Sequence, residues 1–190
     1  MRVLVVVEGS HEAGGALEAI LGRLTDGKLQ MELDRLANNN IHLHHGHGQG
    51  YYKKAVRWLR EAEKRGFAGL ILLVDNDRHP SRRAEIDRAQ NETLISSIPR
   101  AMAVAIEAFD AWIFADEKAL SEAVGRAVPT QPDPEKVDHP KKHLETLLQQ
   151  LGASPSAALY SNVAQHINLS VLEKRCPRGF AVFAQRVRAI

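Results

Sequence analysis

Apolar residues in this chain come in short unbroken runs separated by amphipathic stretches. Val3, Leu4, Val5, Val6 and Val7 form the first run, and Leu70, Ile71, Leu72, Leu73 and Val74 repeat it. Runs of five with no polar interruption are the pattern of strands buried on both faces. A third, richer in alanine, covers 101–106. Between them the period changes to that of helices. Residues 13–24 carry Leu17, Ile20, Leu21 and Leu24 on one stripe, and 51–65 place Tyr52, Val56 and Leu59 on one side. A helix is predicted over 81–95, with Ser81 as its N-cap, and another over 107–115. A further extended segment is expected within 32–45, its limits blurred by Asn38, Asn39 and Asn40.

Strands alternating with helices of ten to fifteen residues predict βαβ units and an α/β fold with a mostly parallel sheet. The proline-rich, acidic stretch 128–140 reads as a loop leading to helices over 143–151 and 182–190. The sheet domain is therefore assigned to 1–124, and 125–190 to a helical C-terminal extension packed on it. The 190 residues suffice for one domain with a real core. Charge adds little, since 25 basic and 23 acidic side chains leave +2, so a phosphate-binding surface must be local. The single cysteine, Cys176, excludes a disulfide framework within the chain and suits a reducing cytoplasm. No run of apolar residues is long enough to span a membrane.

Chemistry gathers where the apolar runs end. Glu8-Gly9-Ser10-His11-Glu12 follows the first, Asp75-Asn76-Asp77 the second, and Glu107-Ala108-Phe109-Asp110 the third. In a parallel sheet such ends share one edge, where open α/β folds place their sites. Glu8, Asp75, Asp77 and Glu107 are expected to face a common crevice. Residues two apart in extended chain point the same way, so Asp75 and Asp77 would converge on one cation. Crowded carboxylates repel unless a metal or a proton lies between them, and hard oxygen ligands favour Mg2+ or Mn2+. Each motif also has a plainer reading. Glu12 would complement a helix dipole, the aspartates would cap the next helix or form Asx-turns, and Asp116 reads as a solvated helix face. Glu107 and Asp110, three apart, would share one face of the predicted helix.

Glu-Gly after a first strand and Asp-x-Asp after a later one resemble the TOPRIM domain of topoisomerases, primases and overcoming-lysogenisation-defect nucleases. The segment from Ile106 through Trp112 to Asp116, with Tyr160, Ile167 and Cys176-Pro177-Arg178-Gly179-Phe180, is similar to a small standalone TOPRIM-like family. That resemblance implies divalent-metal-dependent phosphodiester chemistry, foremost a nuclease on DNA or RNA, in a phage-defence context. It implies acid/base work or metal binding for Glu8, and metal binding for Asp75 and Asp77. Glu12, Glu107 and Asp110 match further acidic positions that would complete a second metal site. No Walker A loop is present, so an ATPase, if needed, would be a partner protein. No catalytic lysine stands out, with Lys141 and Lys142 as candidates. The competing readings are a non-catalytic module binding nucleic acid or a partner protein, and a nucleotide phosphohydrolase.

Outside those motifs, Lys53, Arg57, Arg60 and Lys64 recur at helical spacing as a phosphate-binding stripe or simply a wet helix face. Arg78, Arg82 and Arg83 follow the second acidic motif and would meet phosphate or neutralise the acids. The histidines of 42–47 lack cysteine neighbours and helical spacing, which favours loop histidines over a transition-metal site. Cys176 has no partnered histidine in the sequence and reads as packed.

Overall fold

A computed structural model describes residues 1–10, 12–37 and 50–190. Four strands, β1 (Arg2–Val7), β2 (Gln30–Arg35), β3 (Gly69–Asp75) and β4 (Arg100–Ala105), form one sheet in the order β2-β1-β3-β4 with every pairing parallel. The predicted α/β, mostly parallel character is thus realised. β1 and β3 lie side by side, Val7 opposite Leu73, and β3 and β4 likewise, Asp75 opposite Ala105. The three acidic strand ends therefore share one edge.

Alternation along the strands divides the core in two. Val3, Val5 and Val7, with Ile71, Leu73, Ala101, Ala103 and Ala105, point to one face. Leu4, Val6, Leu70, Leu72, Val74, Met102 and Val104 point to the other. The second face is covered by α2 (Tyr51–Lys64) and α3 (Pro80–Gln90). On the first lie α1 (Leu17–Leu24), the short α4 (Asp110–Ile113), α5 (Glu117–Val124) and α6 (Pro140–Gln150). Three more helices, α7 (Ala157–His166), α8 (Leu169–Arg175) and α9 (Phe180–Arg188), complete it. Small alanines on β4 leave room for the Trp112, Phe180 and Phe183 cluster, whose phenyl rings lie 5.0 and 5.5 Å from Trp112. The C-terminal helices thus share the sheet's own core. Among the described residues no helix is long and apolar enough to cross a membrane.

Several element limits differ from expectation. The chain after β1 does not enter a helix at residue 13. It passes through a wide, kinked turn, Glu12–Ala16, broken at Gly15 (φ +99°), before α1 begins. β2 starts at Gln30, ahead of the expected segment. α3 begins at Pro80 after His79, so Ser81 is inside the helix and is not its cap, and it stops at Gln90 rather than 95. Asn91 caps that end, its Nδ2 donating to Asp87 O at 2.9 Å, and the side-chain amide of Gln90 turns to β4. That amide donates to Arg100 O at 3.0 Å and accepts from Met102 N–H at 2.7 Å, closing the outer edge of β4. The helix predicted over 107–115 shrinks to α4. Glu107 takes a left-handed backbone (φ +62°), so it cannot share a helical face with Asp110.

Candidate functional site: the acidic edge of the sheet

From β1 the chain crosses to β2 on one side, and from β3 it crosses to β4 on the other, so the winding reverses between β1 and β3. At such a switch point the following loops diverge and leave a crevice. Alternation puts Glu8 on the side of Val6, beneath α2. There Glu8 Oε1 accepts the Tyr51 hydroxyl at 2.6 Å, and Oε2 accepts the backbone N–H of Asp75 at 3.1 Å. The α2 terminus that carries Tyr51 is fixed from α3, because Glu85 Oε2 accepts the N–H groups of Tyr51 and Tyr52 at 2.8 and 3.1 Å. A helix starting at Gly50 has no side-chain cap of its own, and Glu85 supplies one.

Asp75 falls on the opposite side, where Oδ1 accepts the N–H of Phe109 at 2.9 Å. Burial pushes its carboxyl well above the usual range, and the charges of Glu12, Asp77 and Glu8 push in the same direction. Glu12 is 5% exposed. Burial raises its carboxyl to about 7, with Asp110 and Glu8 adding repulsion and Lys141 opposing it. The carboxylate of Glu12 folds back over Gly9, where a Cβ would sit only 2.2 Å from Oε2. Gly9 is thus needed for close approach. Asp110 is buried at the start of α4 and accepts the hydroxyl of Tyr160 from α7.

Asp77 does not continue the strand. Its backbone is left-handed (φ +44°), as is that of Arg78 (φ +60°), and its N–H donates to Glu107 O at 3.0 Å. The extended geometry expected for Asp75 and Asp77 is therefore absent. Asp75 turns to Phe109, whereas Asp77 Oδ2 pairs with Arg82 at 2.8 Å. Three residues of these two loops, Asp77, Arg78 and Glu107, are non-glycine yet left-handed, backbone that tertiary packing must maintain.

Beyond Asp77 opens a cleft of about 390 Å3 lined by Asp77, Arg78, Glu107, His139, Lys141 and Lys142, among others. Its lining mixes charges, Asp77 and Glu107 with Arg78 from the strand-end loops and Lys141 and Lys142 with Glu145 from α6. Glu107 thus lines this cleft, while Glu8, Glu12, Asp75 and Asp110 form the group behind it. Among the described residues no three His, Cys, Asp or Glu side chains are gathered tightly enough to cage an ion as they stand. The donors nevertheless suit a hard cation. They are all oxygens, and two buried carboxyls, Glu12 and Asp75, are raised by burial and by the charges of neighbouring acids, a repulsion a divalent ion would relieve.

Other expectations resolve differently. Asp116 is not on a solvated face. It is buried and caps α5, accepting from Lys118 and Ala119 N–H, while its other oxygen accepts from Asn168 N–H at 2.7 Å. Lys53, Arg57, Arg60 and Lys64 are exposed along α2 and make no ion pair among the described residues. Cys176 is buried, and burial pushes its thiol up, as a packed cysteine requires. His11 and the histidines of 42–47 lie outside the described residues. Of the arginines expected to meet phosphate or neutralise the acids, Arg82 pairs with them, while sequence reasoning gave no specific place to the hydroxyls of Tyr51 and Tyr160. Tyr160 entered only through the family resemblance, without a partner.

A family model described as "Domain of unknown function (DUF4276)" matches residues 7–188. The chain belongs to that family. No curated protein and no solved structure matches it.

Proposed function

We propose that this protein carries out divalent-metal-dependent phosphodiester cleavage, with DNA or RNA as substrate. The observation that carries the reading is the convergence of Glu8, Glu12 and Asp75 at the β1/β3 switch point. Glu8 and Glu12 raise the proton affinity of Asp75, and Glu8 that of Glu12, beside a cleft to which Arg78, Lys141 and Lys142 bring positive charge. Mg2+ or Mn2+, held by Asp75 with Glu8, Asp77 and Asp110, would stabilise the charge that develops on phosphoryl oxygens. The likeness to TOPRIM domains points to the same chemistry.

In this reading the chain's own groups divide the work. Glu12, titrating near neutrality, holds a proton on its carboxyl and exchanges it during the reaction, as a general acid or base must. Glu8, fixed by Tyr51 and the Asp75 amide, orients the acidic group. Lys141, Lys142 and Arg78 draw a phosphate into the cleft, and the face of α2 bearing Lys53, Arg57 and Arg60 takes the neighbouring backbone. Glu107 lines the same cleft.

A second reading, a non-catalytic module that binds nucleic acid or a partner protein such as an ATPase, is favoured by one observation. Arg82 already bridges Glu8 and Asp77, so the acids are partly neutralised without a metal. Incubation with labelled single- and double-stranded DNA and RNA decides between them, run with Mg2+, with Mn2+ and with chelator. Metal-dependent cleavage that Glu12→Gln abolishes is expected. Binding without turnover on every polymer would leave the module.

A further inference from the structure

Arg82 stands in the first turns of α3 with 9% of its surface exposed. Its Nη1 donates to the carbonyl of Asp75 at 2.7 Å and to Asp77 Oδ2 at 2.8 Å, and lies 3.6 Å from Glu8 Oε2. The guanidinium lies over the Tyr51 ring, 4.4 Å from its centroid, and Tyr51 in turn donates to Glu8. One nitrogen thus serves the ends of both central strands. The rest of the group is poorly used, because among the described residues the buried Nε has no hydrogen-bond partner. Arginine–carboxylate pairs frequently use the fork in two parallel bonds. This one leaves a buried donor unpaired among the described residues, which carries a desolvation cost. Its partner Asp77 is half exposed, on a loop of left-handed residues. The ion pair is therefore held by charge and open to exchange.

We infer that Arg82 is a resident counter-cation, a positioning residue that holds Glu8 and Asp77 in the metal-free protein and competes with a divalent ion for them. The inference rests on the reading of this edge as a metal site. Two cations cannot share the same carboxylate oxygens at close range without strong repulsion. Binding of the ion thus requires Arg82 to yield Asp77, and its guanidinium sets the metal affinity of the site.

The test is calorimetric titration of Mn2+ into the parent protein, Arg82→Gln, Arg82→Lys and Arg78→Gln, with thermal melts in chelator. Arg82→Gln is expected to bind Mn2+ roughly tenfold more tightly, the scale of one charge-assisted hydrogen bond, and to melt lower in chelator. Arg82→Lys, which keeps the charge but not the fork, is expected between the two, and carries the comparison if the glutamine variant does not fold. Arg78→Gln removes an equal charge nearby without touching Glu8 or Asp77, and should change affinity far less. Equal Mn2+ affinity in the parent and both Arg82 variants would overturn the inference and leave the metal site standing. So would equal tightening in Arg78→Gln, which would reduce the effect to bulk charge. Failure of the parent and all variants to bind Mn2+ would remove the metal site itself, and the inference with it. Binding by Arg82→Gln alone would be its strongest support.

Discussion

Glu8 Oε2 accepts the backbone N–H of Asp75 at 3.1 Å, so a side chain at the end of one strand is bonded to the main chain at the end of the next. The same carboxylate takes the Tyr51 hydroxyl through Oε1 at 2.6 Å. β1, β3 and α2 thus meet in one group. Tyr51→Phe deletes only the hydroxyl. Because Glu8 is half-buried and water can replace the missing donor, the expected cost is about 1 kcal/mol in urea unfolding, with Mn2+ affinity kept within a few-fold. Unchanged stability would mean that this bond adds nothing net.

The raised carboxyl of Glu12 makes a pH prediction whose direction is fixed. In the folded chain it holds its proton up to about 7, against 4.5 in the unfolded chain. Between those values the native state binds more protons. Stability of the metal-free protein should therefore fall as pH rises from 4.5 to 7 and level off above. The loss is on the order of 3 kcal/mol. Glu12→Gln should reduce this slope to the part that the raised Asp75 carboxyl contributes, making the variant more stable than the parent at about pH 8 in chelator but not at about pH 4. Parallel profiles for the two proteins would contradict the assignment.

Gly9 is a sharper probe of the same carboxyl. Its added Cβ would meet Glu12 Oε2 at 2.2 Å, and the far end of a flexible side chain is what must move. Gly9→Ala is expected to fold, to cost about 1–3 kcal/mol through overpacking, and to flatten the pH dependence by turning Glu12 toward water. A crystal structure of the variant with Glu12 unmoved would refute this.

The exposed face of α2 gives a prediction independent of the acids. Arg57→Ala with Arg60→Ala should weaken binding of a labelled oligonucleotide. It should also lower the slope of log affinity against log salt by roughly 0.7–0.9 for each phosphate no longer neutralised. Mn2+ affinity should not change. An unaltered salt slope would return the stripe to an ordinary wet helix face.

The acidic edge was legible because three unbroken apolar runs each ended in a carboxylate, and parallel pairing follows from the alternation with helices. What the sequence hid were local backbone and distant partners. Left-handed conformations at Asp77 and Glu107 carry no glycine to announce them, so the strand seemed to run on past Asp75 and the helix to start at Glu107. Tyr160 reaches Asp110 from 50 residues away along the chain. α5, α7 and α8 are not predicted from the sequence: Asp116, which caps α5, reads there as a solvated face, and the caps Ser156 and Asn168 go unrecognised. The side chain of Gln90, last in α3, bonds to the neighbouring strand, a partner its own segment does not announce.

Anomalous diffraction from crystals soaked in Mn2+ tests the central claim most directly. The account predicts a peak within coordination distance of Asp75 and at least one of Glu8, Glu12, Asp77 and Asp110, with Arg82 drawn away from Asp77. Ordered crystals at saturating Mn2+ with no peak at these carboxylates, and Arg82 still on Asp77, would contradict it.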